Sequence, residues 1–138
     1  MNRHDIEKNL RKIDADYRLG HGVSDDLIDK AQERLGETLP DHVINFYKSC
    51  NGLSVNSKLE IYDIGKLKKS GHIIEFANFN EKHRVGFDIS YINDAGQWSI
   101  VNVESKYLIT LTMASFLTNK IWAWLLRGRE IWAEEKYT

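Results

Sequence analysis

The residue types best suited to covalent chemistry lie together in LPDHVINFYKSCNG, residues 39–52, where Cys50 can act as a thiolate nucleophile and His42 as its base. A base must come within roughly 3 Å of the sulfur to take its proton. If the segment is one helix, the two residues stand about 12 Å apart along its axis, at about 1.5 Å of rise per residue. That excludes them as partners on a shared helix, and only His72 or His83, arriving from elsewhere in the fold, is left to activate the thiol. The histidines at 4, 21, 42, 72 and 83 include no pair at i, i+2 or i, i+4, and the chain has neither His-Glu-x-x-His nor Cys-x-x-Cys. No metal site is expected. Carboxylates at Glu60, Asp63, Glu75, Asp88 and Asp94 fall on or beside strand-like stretches, where a facing pair suits acid–base work. Alternation places many of them opposite the apolar residues instead, on the solvated side of a sheet. Dinucleotide, phosphate-loop and Gly-x-Ser-x-Gly motifs are missing, and the glycines punctuate elements. The expectation is no catalytic residue and no cofactor.

The elements that must position these groups come from a chain of 138 residues, the length of one ordinary domain. With 19 basic and 20 acidic side chains there is no global field to hold the protein on a phosphate backbone or an anionic membrane. A nucleic-acid-binding or membrane role is disfavoured. The single cysteine excludes an internal disulfide, the segment MNRHDIEKNLRKID lacks the apolar stretch of a secretory signal, and no run approaches the roughly 18 apolar residues of a membrane span. A cytoplasmic protein is expected.

Ile6, Leu10, Ile13 and Tyr17 recur at helical spacing, which predicts a first helix over residues 2–19. Ser24 then looks like the N-cap of a second, with Asp25 and Asp26 in its first turn, Leu27, Ile28, Ala31 and Leu35 on its buried face and Gly36 as its stop. Pro40 suits the first turn of a third helix whose apolar stripe runs through Val43, Ile44, Phe46, Tyr47 and Cys50, with Asn51-Gly52 ending it in left-handed conformations. Beyond Gly52 the period changes to two, and strands are predicted at 58–64, 72–79, 83–92, 97–103 and 107–113. The basic LKKSG at 67–71 reads as a solvated turn, and NDAG at 93–96 as a tight one. A last helix begins near Thr112 or Ala114, runs through Phe116, Leu117, Ile121, Trp124 and Leu125, and stops at Gly128. Helices, then strands, then a helix imply an α+β fold: a single mostly antiparallel sheet of about five strands flanked by two or three N-terminal helices and one C-terminal helix.

In VGFDIS, Phe87 and Ile89 share one face and Asp88 points to the other. Tyr91 and Trp98 add aromatic surface on either side of NDAG. Aromatics beside carboxylates on an open sheet face suit a protein-binding surface, and core packing is the competing assignment for Trp98.

VSDDLIDKAQERLGETLPDHVINFYKSCNGLSV resembles the N-terminal signature of the SUKH superfamily, through Ser24, Leu35-Gly36, Leu39-Pro40, Phe46-Tyr47 and Asn51-Gly52. FANFNEKHRVGFDIS is similar to the family's strand pair ending in an aromatic and an aspartate, here Phe87-Asp88, and LTMASFLTNKI looks like its closing helix, around Phe116. The resemblance covers about residues 23–126, and Leu53 stands where a second glycine commonly follows Asn-Gly. It implies one SUKH-like domain over 1–138 and an immunity-type protein that binds and neutralises a cognate bacterial toxin, often a nuclease or deaminase, with no catalysis of its own. The alternatives are a regulatory interaction scaffold, as in the yeast cell-wall assembly regulators, or a small-ligand-binding module. For toxin binding, Glu60, Asp63, Asp88 and Asp94 are expected to form an acidic rim, and Tyr62, Tyr91 and Trp98 to serve as anchors.

Overall fold

The structure, a computed structural model, describes residues 3–13 and 16–134. Helix α1 spans Arg3–Lys12 and buries Ile6 and Leu10. It stops short of the predicted end, because Tyr17–Leu19 instead forms strand β1 on the margin of the sheet, hydrogen-bonded to Leu53–Val55 (β2) with Tyr17 opposite Val55. A free strand edge overrides the local helical period there. Residues 2, 14 and 15 of the predicted helix lie outside the described residues.

Helix α2, Asp25–Leu35, begins as expected: the Leu27 N–H donates to the Ser24 hydroxyl at 3.4 Å, and Gly36 closes it at φ 67° with its N–H on the Gln32 carbonyl. Ile28, Ala31 and Leu35 are buried, but Leu27, expected beside them, is 44% exposed. Helix α3 covers Asp41–Ser49. Pro40 is its N-cap rather than a first-turn residue, and its carbonyl accepts the N–H groups of Val43 and Ile44. Cys50 is the C-cap, in an extended conformation, and of the Asn51-Gly52 pair only Gly52 takes a positive φ, 89°. A Cβ at Gly52 would sit 2.7 Å from the Ile61 carbonyl oxygen, so glycine is required for both reasons.

The remaining strands are β3 (Leu59–Ile61), β4 (Lys68–Ser70), β5 (Ile73–Phe79), β6 (His83–Asp88), β7 (Ser99–Asn102) and β8 (Leu108–Thr110). They form one antiparallel sheet of eight strands in the order β1-β2-β3-β5-β6-β7-β8, with β4 paired to β5. The α+β class is as expected and the strand count is not. The additional strands β1, β2 and β4 have three residues each, too few to display a period of two, and the LKKSG turn contains β4. The predicted strands are also trimmed. After β3 the chain enters a 3₁₀ turn at Ile64–Lys66, and β6 ends at Asp88, whose carboxylate accepts the N–H and hydroxyl of Ser90 and turns the chain.

All the helices pack on one face of the sheet. After Thr112, whose hydroxyl accepts the Ser115 N–H at 3.0 Å, the chain runs as α4 (Met113–Ser115), a π-helical turn (Phe116–Lys120) and α5 (Ile121–Arg127), stopped by Gly128. Phe116, fully buried, meets Phe76 edge-on at 5.4 Å, and Phe76 stacks on Phe87 at 4.1 Å. Trp132 closes the far end against Phe79 and His83. Each such side chain contributes about 1.5–3 kcal/mol by leaving water.

Candidate functional site

Among the described residues, no helix lies on the sheet's other face. Its composition follows from the register. One row of cross-strand neighbours runs Arg18, Ser54, Glu60, Asn78, Arg84. A second runs Lys68, Glu75, Gly86, Val101, Leu108, and a third Ser70, Ile73, Asp88, Ser99. The alternating residues, among them Ile61, Ile74, Phe87 and Ile100, belong to the core beneath the helices. The bulge in β5 between Glu75 and Ala77 puts Phe76 and Ala77 in the core in succession and leaves Glu75 and Asn78 on the open side.

At one end of this face Glu75, only 7% exposed, accepts the Tyr62 hydroxyl at 2.5 Å and an Arg84 N–H at 3.3 Å. Asn78 donates to the same tyrosine oxygen, and the Lys68 ammonium lies 5.9 Å from its ring centroid. Burial and the hydrogen bond to Glu75 push the Tyr62 phenol up to about 12, so it stays protonated and donates. Arg84 also reaches Glu104 at 3.4 Å. The cluster saturates its own charges and forms a floor. Beside it a cleft of about 550 Å³ is lined by Arg34, Glu60, Tyr62, Lys66, Lys68 and Asn78.

At the other end the chain from Ile89 to Trp98 folds over the face. The Tyr91 hydroxyl lies 3.4 Å from the Ser99 hydroxyl. Asn93 organises the loop: its carbonyl oxygen Oδ1 accepts the N–H groups of Ala95 and Gln97, and its Nδ2 donates to Ser99 Oγ and to the Leu111 carbonyl, both at 3.0 Å. NDAG is a turn as expected, closed by Gly96 at φ 77°.

Two of the expected anchors are not on the surface. Tyr62 is 7% exposed, spent on Glu75, and Trp98 is 6% exposed on the helix side, against Phe87 and His42. Tyr91, by contrast, is 52% exposed. The carboxylates do not converge on one spot. Glu60 lies mid-row on β3, Asp63 faces Lys66 at 3.9 Å, Asp88 holds Ser90, and Asp94 is exposed on the turn. Glu60 and Asp88 sit opposite Asn78 and Ile73 of β5, on the order of 15 Å apart along the strand. Sequence reasoning missed Ile92, Leu108 and Leu111, which are 56%, 46% and 43% exposed along this same margin. The usable signal was Asp88-Ile89-Ser90, an Asx-type turn that ends β6 before Tyr91-Ile92 can alternate into a sheet.

The thiol and imidazole face different surroundings. Cys50 is fully buried, and burial pushes its thiol up to about 11 against the opposing pull of Arg3 and the Gly52 N–H. His42 lines a depression of about 450 Å³ with Asp5, Asn45, Gln97 and Met113; its Nε2 accepts the Trp98 N–H at 3.4 Å. Burial lowers its pKa, opposed by Asp41. Among the described residues, no three His, Cys, Asp or Glu side chains group as a metal site requires, and no helix is long and apolar enough to cross a membrane.

Comparison with known proteins decides the family. The SMI1 / KNR4 family (SUKH-1) matches residues 22–137, most of the chain. The chain belongs to this family. No curated protein matches it. The SUKH signature residues now have physical roles. Leu35 and Leu39 are core, and the Leu39 N–H donates to the Gln32 side chain at 2.8 Å. The Tyr47 hydroxyl donates to the Tyr62 carbonyl at 2.8 Å, and Asn51 Oδ1 accepts the Ile64 N–H at 2.7 Å, locking the end of α3 to the chain after β3.

Proposed function

We propose that the protein is an immunity-type binding protein that neutralises a cognate bacterial toxin in the cytoplasm by covering its active site. Membership of the SUKH-1 family carries this reading, and the helix-free sheet face is the surface that best fits it. Masking needs only an interface of standard size, about 800 Å² per partner, within which Glu60, Asp63, Asp88, Tyr91 and Asp94 all fit despite their spacing. Carboxylates across the face speed the encounter with a basic nuclease or deaminase cleft. Co-expression with the product of the adjacent gene tests the reading. Protection of growth and co-purification are expected, and the absence of both would remove it. A small-ligand-binding role has one observation for it, the cleft beside Tyr62 and Lys68. Small-molecule screening by thermal shift that moved the midpoint of wild-type protein but not of a Lys68→Glu variant would favour it.

A further inference from the structure

The large apolar side chains left in solvent are unevenly placed: of the seven that are more than a third exposed, Tyr91, Ile92, Leu108 and Leu111 lie along the margin formed by the 89–96 loop and β8. Their exposed surface sums to roughly 300–400 Å², the size of the largest patch on an ordinary monomer, which is often functional. Charge is uneven in the same place. Between Arg84 and Lys120 the chain carries Asp88, Asp94 and Glu104, the last paired with Arg84, against one base, Lys106. The bases of the open face, Arg18, Lys68 and Arg84, stand on other strands. The loop is also held in shape before any partner arrives, through the four side-chain hydrogen bonds of Asn93. Exposed apolar residues on a loop already ordered lose little entropy on binding.

We infer that the partner is gripped at this margin, by Tyr91, Ile92 and Leu111 within an Asp88–Asp94 rim, and that it presents lysine and arginine side chains around an apolar depression. This rests on the toxin-binding reading and narrows it to one end of the face. Glu60 and the Tyr62–Glu75 cluster then lie at the periphery.

The test titrates the full chain against the purified, catalytically inactivated product of the adjacent gene. Ile92→Ser and Leu111→Ser, both at exposed positions, are each expected to weaken binding at least tenfold, with unchanged thermal midpoints showing that the fold is intact. Asp94→Lys, on the exposed turn, is expected to slow association about threefold at low salt, and the difference should vanish near half-molar salt. Leu126→Ser, at a position 60% exposed on α5, should change affinity less than about threefold. Binding that survives the margin substitutions overturns the inference and leaves the toxin-binding reading standing. Failure of the wild-type chain to bind or protect overturns both.

Discussion

The segment from Ser24 to Ile64 and the margin formed by residues 89–96 and β8 divide the molecule's work. In the first, every signature side chain is spent internally: Ser24 caps, Leu35 and Leu39 fill the core, Tyr47 and Asn51 tie α3 to the sheet, and Gly52 fits where a Cβ cannot. In the second, Asn93 holds the backbone, in part through the Leu111 carbonyl, while the side chains of Ile92 and Leu111 stand in solvent and Tyr91, half exposed, reaches only the Ser99 hydroxyl. The residues that identify the family are therefore those that build the scaffold, and they say little about the partner. On the proposed reading, partner choice falls to positions outside that scaffold.

Substitutions should separate the two regions by what they cost. Phe116→Ala removes the ring that Phe76 packs against and is expected to cost about 3–5 kcal/mol in chemical denaturation, the largest single loss. Gly52→Ala forces a Cβ against the Ile61 carbonyl at a positive φ, and about 2–3 kcal/mol is expected by the same measurement. Tyr62→Phe leaves one oxygen of buried Glu75 without its hydroxyl donor, for about 1–2 kcal/mol. A neutral result there would mean that the cluster is solvated and belongs to the functional surface instead of its floor.

The same division explains what could be read from sequence. Helices α2 and α3 were legible because caps and apolar periodicity are local, and Ser24, Gly36 and Leu35 act within a few residues of their own position. Strands β1, β2 and β4 were not, because three residues acquire their identity from the neighbour they pair with. For the site, the opposed facing of Phe87 and Asp88 was legible from alternation, and the exposure of Tyr91 was anticipated. Of the two readings held for Trp98, core packing is the one the structure bears out, and Tyr62 was misplaced because a sequence does not say that its hydroxyl would be spent on Glu75. Leu111 was missed because reading 107–113 as an unbroken strand gave its side chain the inner face of Ile109, whereas Ile92, on the open face of Asp88 by alternation, was passed over as one more strand residue.

His42 offers a smaller, pH-dependent contrast. Burial favours its neutral ring, so the folded pKa lies below the ordinary 6.5 and the unfolded chain takes up the proton first as pH falls. The stability that His42 contributes is fully present above about 6.5 and is lost on acidification through the range beneath it. Urea midpoints measured from pH 8 to pH 5 should fall more steeply for wild type than for His42→Gln, and parallel curves would show that the ring is solvated in the fold.

The smallest expected effect on stability is the most informative. Ile92→Ser and Leu111→Ser remove apolar groups that already face water, so each should change the unfolding free energy by no more than about 0.5 kcal/mol. A slight gain is as natural as a slight loss, since an exposed apolar patch is no asset to an unbound protein. A loss of about 2 kcal/mol in either would place that side chain in the scaffold, joined to Asn93 and Ser99 as part of the core's rim, and would erase the distinction between the two regions at that position. Stability unchanged within error, beside binding that collapses, would be the signature of residues held outward for another molecule.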